Sequence, residues 1–233
     1  PGSSPPVAEP RQRWRLVFAR PVASALSHRE LADAWTAALQ ASTLPLPRTA
    51  GRPRPVLAFA APLLSGIPAR RELADLWLAQ QQPIADVRQA LVASMPEELR
   101  LVDLHDVWLG APALAADLVG AEYRIDLAGE KTAGSELAAA ARRLLEAASL
   151  PRTRARGSGT VAYDLRPLLD DVCVEAGPPP ALRVRTRYHP ERGAGRPEEV
   201  VAALGDALGR PLTAAATRRE RLILRTDDAA SHV

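Results

Sequence analysis

Three arginine sets carry most of the chemistry this sequence could perform. In LRVRTRY, Arg183, Arg185 and Arg187 alternate with Leu182, Val184, Thr186 and Tyr188, the period of a strand that puts all three cations on one face. Like charges on one strand face repel unless that face is wet or meets an anion, and guanidinium groups are suited to phosphate. Arg152, Arg154 and Arg156 alternate in the same way, and Arg218, Arg219 and Arg221 cluster before the last apolar run. If the sets converge they form a phosphate-contacting surface. The competing reading is a solvated sheet face balanced by carboxylates, since residues 121–233 hold 18 basic and 16 acidic groups.

A second basic element is PRTAGRPRP, where Arg48, Arg52 and Arg54 surround Gly51, Pro53 and Pro55. Proline fixes backbone angles, so such a loop loses little entropy on binding a ligand. Against that stands the abundance of proline, 22 residues in this chain.

Among the four histidines, His28 is the catalytic candidate. It occupies the first turn of a helix, where the positive dipole end favours a neutral imidazole able to act as a base; the alternative is a ring that packs over the cap. His105 reads as a strand residue, and His189 and His232 fall in a turn and the tail. No H-x-x-x-H pair exists, so a zinc site is not expected. Neither phosphate-loop nor dinucleotide fingerprints occur, and G-x-S-x-G is absent. Asp170 and Asp171 are adjacent on a strand and face opposite ways, which argues against a shared-proton carboxylate pair. Cys173, in DVCVE, reads as a buried small hydrophobe.

The elements that must position these residues are readable from periodicity. WRLVFAR is a strand with Trp14, Leu16 and Phe18 on one face. Ser27 and Glu30 form a capping box before a helix that turns Leu31, Trp35 and Leu39 to the sheet. Pro45, Pro47, Pro53 and Pro55 forbid helix next. Strands near 56–60 and 73–79, a helix from Pro83 burying Ile84, Val87, Leu91 and Met95, and the strand LVDLHDVW complete a β-α-β-β-α-β order. The order recurs. A strand over 122–127 leads to a helix capped by Ser135, with Leu137, Ala141, Leu144 and Ala148 inside. PRTRARGSG reads as a loop, followed by strands near 161–165 and 172–175 and then LRVRTRY. A helix opened by Pro197 buries Val200, Val201, Leu204 and Leu208 and stops at Gly209, and RLILRT supplies the last strand. The expected fold is α+β: two tandem ferredoxin-like (split βαβ) modules, with helices packed on antiparallel sheets. Residues 1–12 are expected to be a disordered tail or an expression remnant, 13–120 the first module, 121–226 the second and 227–233 a C-terminal tail.

Composition sets outer limits. With 47% apolar residues, the 233-residue chain can bury a sizeable core, although aromatics are only 4%. No run of about 18 uncharged apolar residues exists, and PGSSPPVAEPRQR is not a secretory signal. One cysteine permits no internal disulfide and fits a reducing, cytoplasmic setting. Thirty basic residues against 27 acidic give a net charge of +3. Lys131 is the sole lysine, a bias that points to a GC-rich genome before it points to a function.

Taken together, RLVFAR, LSHRELADAWTAALQASTLPLPRTAGRPRPVLAFAAPLLSGIPA, ADLWLAQ, GAEYRIDL, DLRPLL, RPEEVVAAL and RRERLIL give the chain a further likeness. It resembles the radical SAM-linked protein family, a domain of unknown function fused to or associated with radical SAM enzymes. The family's S-H-L-D helix start is here Ser27, His28, Arg29, Glu30. Its G-F-N-P-x-P loop keeps Gly51, Pro53 and Pro55 while Arg52 replaces the Phe–Asn pair, and its P-L-P-L-G element has become Pro62, Leu63, Leu64, Ser65, Gly66. The resemblance implies an accessory partner of a radical SAM enzyme that binds or presents an RNA substrate. S-adenosylmethionine and the iron–sulfur cluster would sit on that partner alone, because C-x-x-x-C-x-x-C is missing here; no cofactor is expected in this chain. The residues expected to hold RNA are Arg48, Arg52, Arg54, Arg183, Arg185 and Arg187. Two alternatives remain open: a stand-alone RNA-processing enzyme using His28, and a protein-only docking scaffold.

Overall fold

The computed structural model describes residues 9–23, 25–47, 57–62, 64–128, 133–156, 159–175, 177 and 180–226. The chain divides into two compact units, Pro1–Leu118 and Val119–Val233, each a mixed α+β body with antiparallel strand pairing.

In the first unit the order is β1 (Gln12–Arg20), α1 (His28–Ala41), β2 (Leu57–Phe59), β3 (Ala69–Leu78), α2 (Ile84–Ser94), β4 (Arg100–Val107) and a single turn α3 (Leu114–Asp117). The sheet runs β4-β1-β3-β2, antiparallel at every junction. Register aligns Leu16 with Ala74 on one side and Leu104 on the other, so period-2 alternation turns one apolar row towards the helices. Leu31, Trp35 and Leu39 of α1 and Val87 and Leu91 of α2 are buried with that row. Phe18 meets Trp35 edge-on at 5.6 Å and Phe59 at 6.2 Å, geometries worth about 0.5–1.5 kcal/mol each beyond burial. The capping box forms as its spacing demands: Ser27 Oγ accepts from the Glu30 N–H, and the Glu30 carboxylate accepts from the Ser27 N–H at 2.7 Å. Ile84, expected inside, is half-exposed because α2 packs only through Val87 and Leu91. β3 starts four residues ahead of the expected strand, since Ala69 already pairs with Arg20.

The second unit follows the same order with an insertion: β5 (Leu118–Leu127), α4 (Gly134–Glu146), β6 (Pro151–Arg156), β7 (Gly159–Asp164), a 3-10 turn (Arg166–Leu168), β8 (Leu169–Glu175), β9 (Ala181–His189), β10 (Gly193–Ala194), α5 (Pro197–Leu208) and β11 (Ala214–Leu224). Its sheet runs β8-β9-β5-β11, with β10 pairing the end of β9. Tyr123, Ile125 and Leu127 of β5, Leu182 and Val184 of β9, and Leu137, Ala141 and Leu144 of α4 are buried. Pro197 opens α5, and Gly209, at φ +68°, closes it by donating its N–H to the Asp206 carbonyl.

Three expectations need correction here. PRTRARGSG is not a loop throughout. Its first six residues form β6, which pairs with β7 in a separate hairpin, Arg152 opposite Tyr163 and Arg154 opposite Val161. Ser135 caps nothing, because the Ala133 carbonyl already accepts from Glu136 and Leu137 and places Ser135 inside the first turn. Ala148 lies past the end of α4 and is exposed.

Candidate nucleic-acid interface

Alternation along β5, β8 and β9 sends apolar residues to the helices and charged residues to the opposite face. The register orders that outer face into rows across β5, β9 and β8: Asp126, Ala181, Glu175; then Arg124, Arg183, Cys173; then Glu122, Arg185, Asp171. A basic row therefore lies between an acidic row and one in which Arg185 is flanked by two carboxylates. Arg124 is bound to Asp126 at 3.0 Å and to Glu175. Arg185 reaches Glu122 at 3.7 Å and Asp170 at 3.6 Å, and Arg187 also binds Asp170. Arg221 of β11 joins through Glu122 at 3.4 Å. Arg183 is different: it faces Arg124 directly, is exposed, and has no carboxylate within 4 Å among the described residues.

Cys173 ends the basic row and is half-buried on this charged face, not packed in the apolar core as its sequence context suggests. Its thiol donates to Asp171 at 3.1 Å. That hydrogen bond first, and burial second, push its pKa up, with Arg183 pulling the other way. A thiol so placed stays protonated and is a poor nucleophile at neutral pH.

The other expected residues separate. Arg152 pairs with Asp206 on α5 at 2.6 Å, and Arg154 lies 4.7 Å from the centre of the Tyr163 ring; both fasten the hairpin inside its own unit. Desolvation, then Glu199, raise the Tyr163 phenol well above its ordinary pKa. Arg218 pairs with Glu220 at 2.7 Å, and Arg219 is buried. His28 sits edge-on to Phe59 at 5.3 Å, and the helix end beside it is occupied by Ser27 and Glu30. That is a packing geometry. Asp170 and Asp171 have different partners, Arg187 and the Cys173 thiol. Arg48, Arg52 and Arg54 lie outside the described residues.

A charged group in the first unit escapes the sequence reading. Asp75 is fully buried and accepts from Arg13 Nε at 2.9 Å and Nη2 at 2.5 Å, and from Arg15 Nε at 2.9 Å and Nη2 at 3.1 Å. Arg13, 2% exposed, also donates to the carbonyls of Ala111 and Pro112. The available signal is a lone carboxylate in the apolar run LADLWL, beside RWRL. With both its oxygens occupied by guanidinium donors, Asp75 is a structural anchor and not a base. A cleft of about 420 Å³ between α4 and the end of α5 is lined by Glu136, Arg143, Leu208 and Arg210. Its arginines are tied to Glu136 and to the Ala207 carbonyl, so it holds no free cation for a ligand.

A family model described as "Uncharacterized protein conserved in bacteria (DUF2344)" matches residues 13–196. No curated protein matches the sequence. Among solved structures, a chain of "Crystal Structure of a Cbf5-Nop10-Gar1 Complex" is similar at 12% identity and a TM-score of 0.48. The likeness covers 89% of this chain, which spans about half (49%) of the matched chain.

Proposed function

For a chain that belongs to the uncharacterized bacterial family DUF2344, we propose a non-catalytic accessory role: holding an RNA substrate by its phosphates for a radical SAM partner in the cytoplasm. The radical SAM association rests on the sequence resemblance alone. Any S-adenosylmethionine and iron–sulfur cluster belong, on this reading, to the partner. We further read each unit as a ferredoxin-like module, a reading supported by the strand orders β4-β1-β3-β2 and β8-β9-β5-β11. No helix among the described residues is long and apolar enough to cross a membrane.

The observation that carries the RNA reading is Arg183. Two guanidinium groups directly opposite each other on neighbouring strands are destabilising unless an anion lies between or above them. Arg124 is held in contact by Asp126 and Glu175, whereas Arg183 hydrogen-bonds the Cys173 thiol and feels Glu122 and Glu175 only from beyond 4 Å. A backbone phosphate fits that position as a charge-assisted acceptor. The surrounding carboxylates restrict the face to a few defined phosphate contacts instead of a broad positive field.

The test is a binding titration against bulk tRNA between about 50 and 200 mM salt. Arg183→Ala should weaken binding and reduce the salt slope by about one ion equivalent, and Arg124→Ala with Arg183→Ala by about two. Identical affinity and slope in all three proteins would sink the proposal and leave the lattice as a solvated sheet face.

A further inference from the structure

Aromatic side chains are scarce, with four Trp, three Tyr and two Phe in the chain. Trp14, Trp35, Phe18 and Tyr123 are buried, and Phe59, Trp77, Tyr163 and Tyr188 are half-buried. Trp108 is 78% exposed. A chain this poor in aromatics that leaves one indole in water makes that indole a candidate for a partner.

The turn bearing Trp108 is tied down by hydrogen bonds at both ends. The Ala111 N–H donates to the Trp108 carbonyl at 2.9 Å. Arg13 then donates to Ala111 O at 2.7 Å and Pro112 O at 2.8 Å, and its own orientation is fixed by the buried Asp75. The indole lies along the backbone of Gly110, so close that a Cβ there would sit 2.7 Å from its Cη2 and Cζ2. One side of the ring is backed by glycine while most of the ring stays open to solvent. Little conformational entropy remains to be lost when something flat lies against it.

We propose that Trp108 is a stacking platform for an unpaired base of the RNA. The inference rests on the RNA reading above but is independent of the arginine row. Base–aromatic stacking needs one open ring and tolerates any sequence, and in RNA it selects single-stranded segments whose bases can be splayed out. A protein-docking patch would require contiguous apolar area. Here only Leu109, 43% exposed, adjoins the ring along the chain; in the same unit the other exposed large apolar residues sit on other elements, Ile84 and Val92 on α2, Val102 on β4 and Val22 after β1. A cation is also close in the chain path: Arg11, two residues before Arg13, which β1 pairs with Val107, is exposed and has no ion pair within 4 Å among the described residues.

The experiment compares a single-stranded oligoribonucleotide with its duplex, reading affinity and tryptophan fluorescence. Trp108→Ala should weaken single-strand binding about 5- to 150-fold and abolish the quenching, with the salt slope and the melting temperature unchanged. Trp108→Phe should retain most of the affinity. Gly110→Ala, which pushes the ring off its backing without removing it, should lose affinity like Trp108→Ala. Unchanged single-strand affinity in both Trp108→Ala and Gly110→Ala overturns the platform and reassigns the exposed indole to protein contacts. If Arg183→Ala still lowers the slope in that case, the phosphate-holding role stands alone. Absence of RNA binding by the unaltered protein would end both.

Discussion

At the scale of single residues, burial decides what a charged group can do. Asp75 sits in the middle of an apolar strand with no exposed surface and is accommodated there only because Arg13 and Arg15 fill its oxygens. Removing one partner of a buried pair leaves the other charge uncompensated, which costs about 3–5 kcal/mol. Asp75→Ala is therefore expected to lower unfolding stability by that much in urea titrations, while a truncation at the exposed Arg187 should shift it by less than about 1 kcal/mol; equal shifts would contradict the anchoring role. The alternation of Arg183, Arg185 and Arg187 was legible in the sequence, and so was their common face. That Arg183 alone of the three lacks a carboxylate within 4 Å was not, because Asp126, Asp170 and Glu175 come from other strands.

Secondary-structure elements were legible where local chemistry sets them. Ser27 and Glu30 announce α1, and Pro197 and Gly209 bracket α5, each through hydrogen bonds within a few residues. Gly209 has a left-handed φ of +68°, and a Cβ added there would meet no atom within 4 Å, so Gly209→Ala meets only backbone strain, about 1 kcal/mol. Calorimetry should record a correspondingly small drop in melting temperature; a drop as large as that of Asp75→Ala would mean the cap does more than end the helix. The β6–β7 hairpin shows the converse. RTRAR has no apolar alternation, and what holds it is Tyr163 across the hairpin and Asp206, which lies more than 50 residues away. β11 likewise begins at Ala214, seven residues ahead of the expected strand RLILRT.

For the molecule as a whole, charge is nearly balanced, +3 in 233 residues, so its pH response depends on individual carboxylates. The Ser27 hydroxyl and N–H hold Glu30 below its ordinary pKa, and the Leu104 N–H does the same for Asp103. Burial pushes Asp164 up, but the N–H groups of Leu150 and Arg166 outweigh it and the net shift is downward. A depressed folded-state pKa contributes stability above the unfolded value, near 4, and loses it as pH falls through the folded value. Stability from these groups should be level between about pH 7 and 4.5 and decline below. Asp164→Asn, which keeps an acceptor and removes the charge, should flatten part of that decline in denaturation curves; an unchanged acid limb would show that Asp164 does not contribute.

The sequence by itself determined the α+β alternation, the two-fold recurrence of element order, the core faces of the helices and the strand that carries three arginines. These follow from periodicity and capping, which act over a turn of helix or two residues of strand. Only the tertiary structure decided which cations are neutralised, that Cys173 belongs to a charged row, that Asp75 anchors the turn at Ala111, and that Trp108 is left in water. Each of those depends on how strands far apart in sequence are brought into register, and charge pairing and exposure are set by neighbours in space that no local pattern specifies.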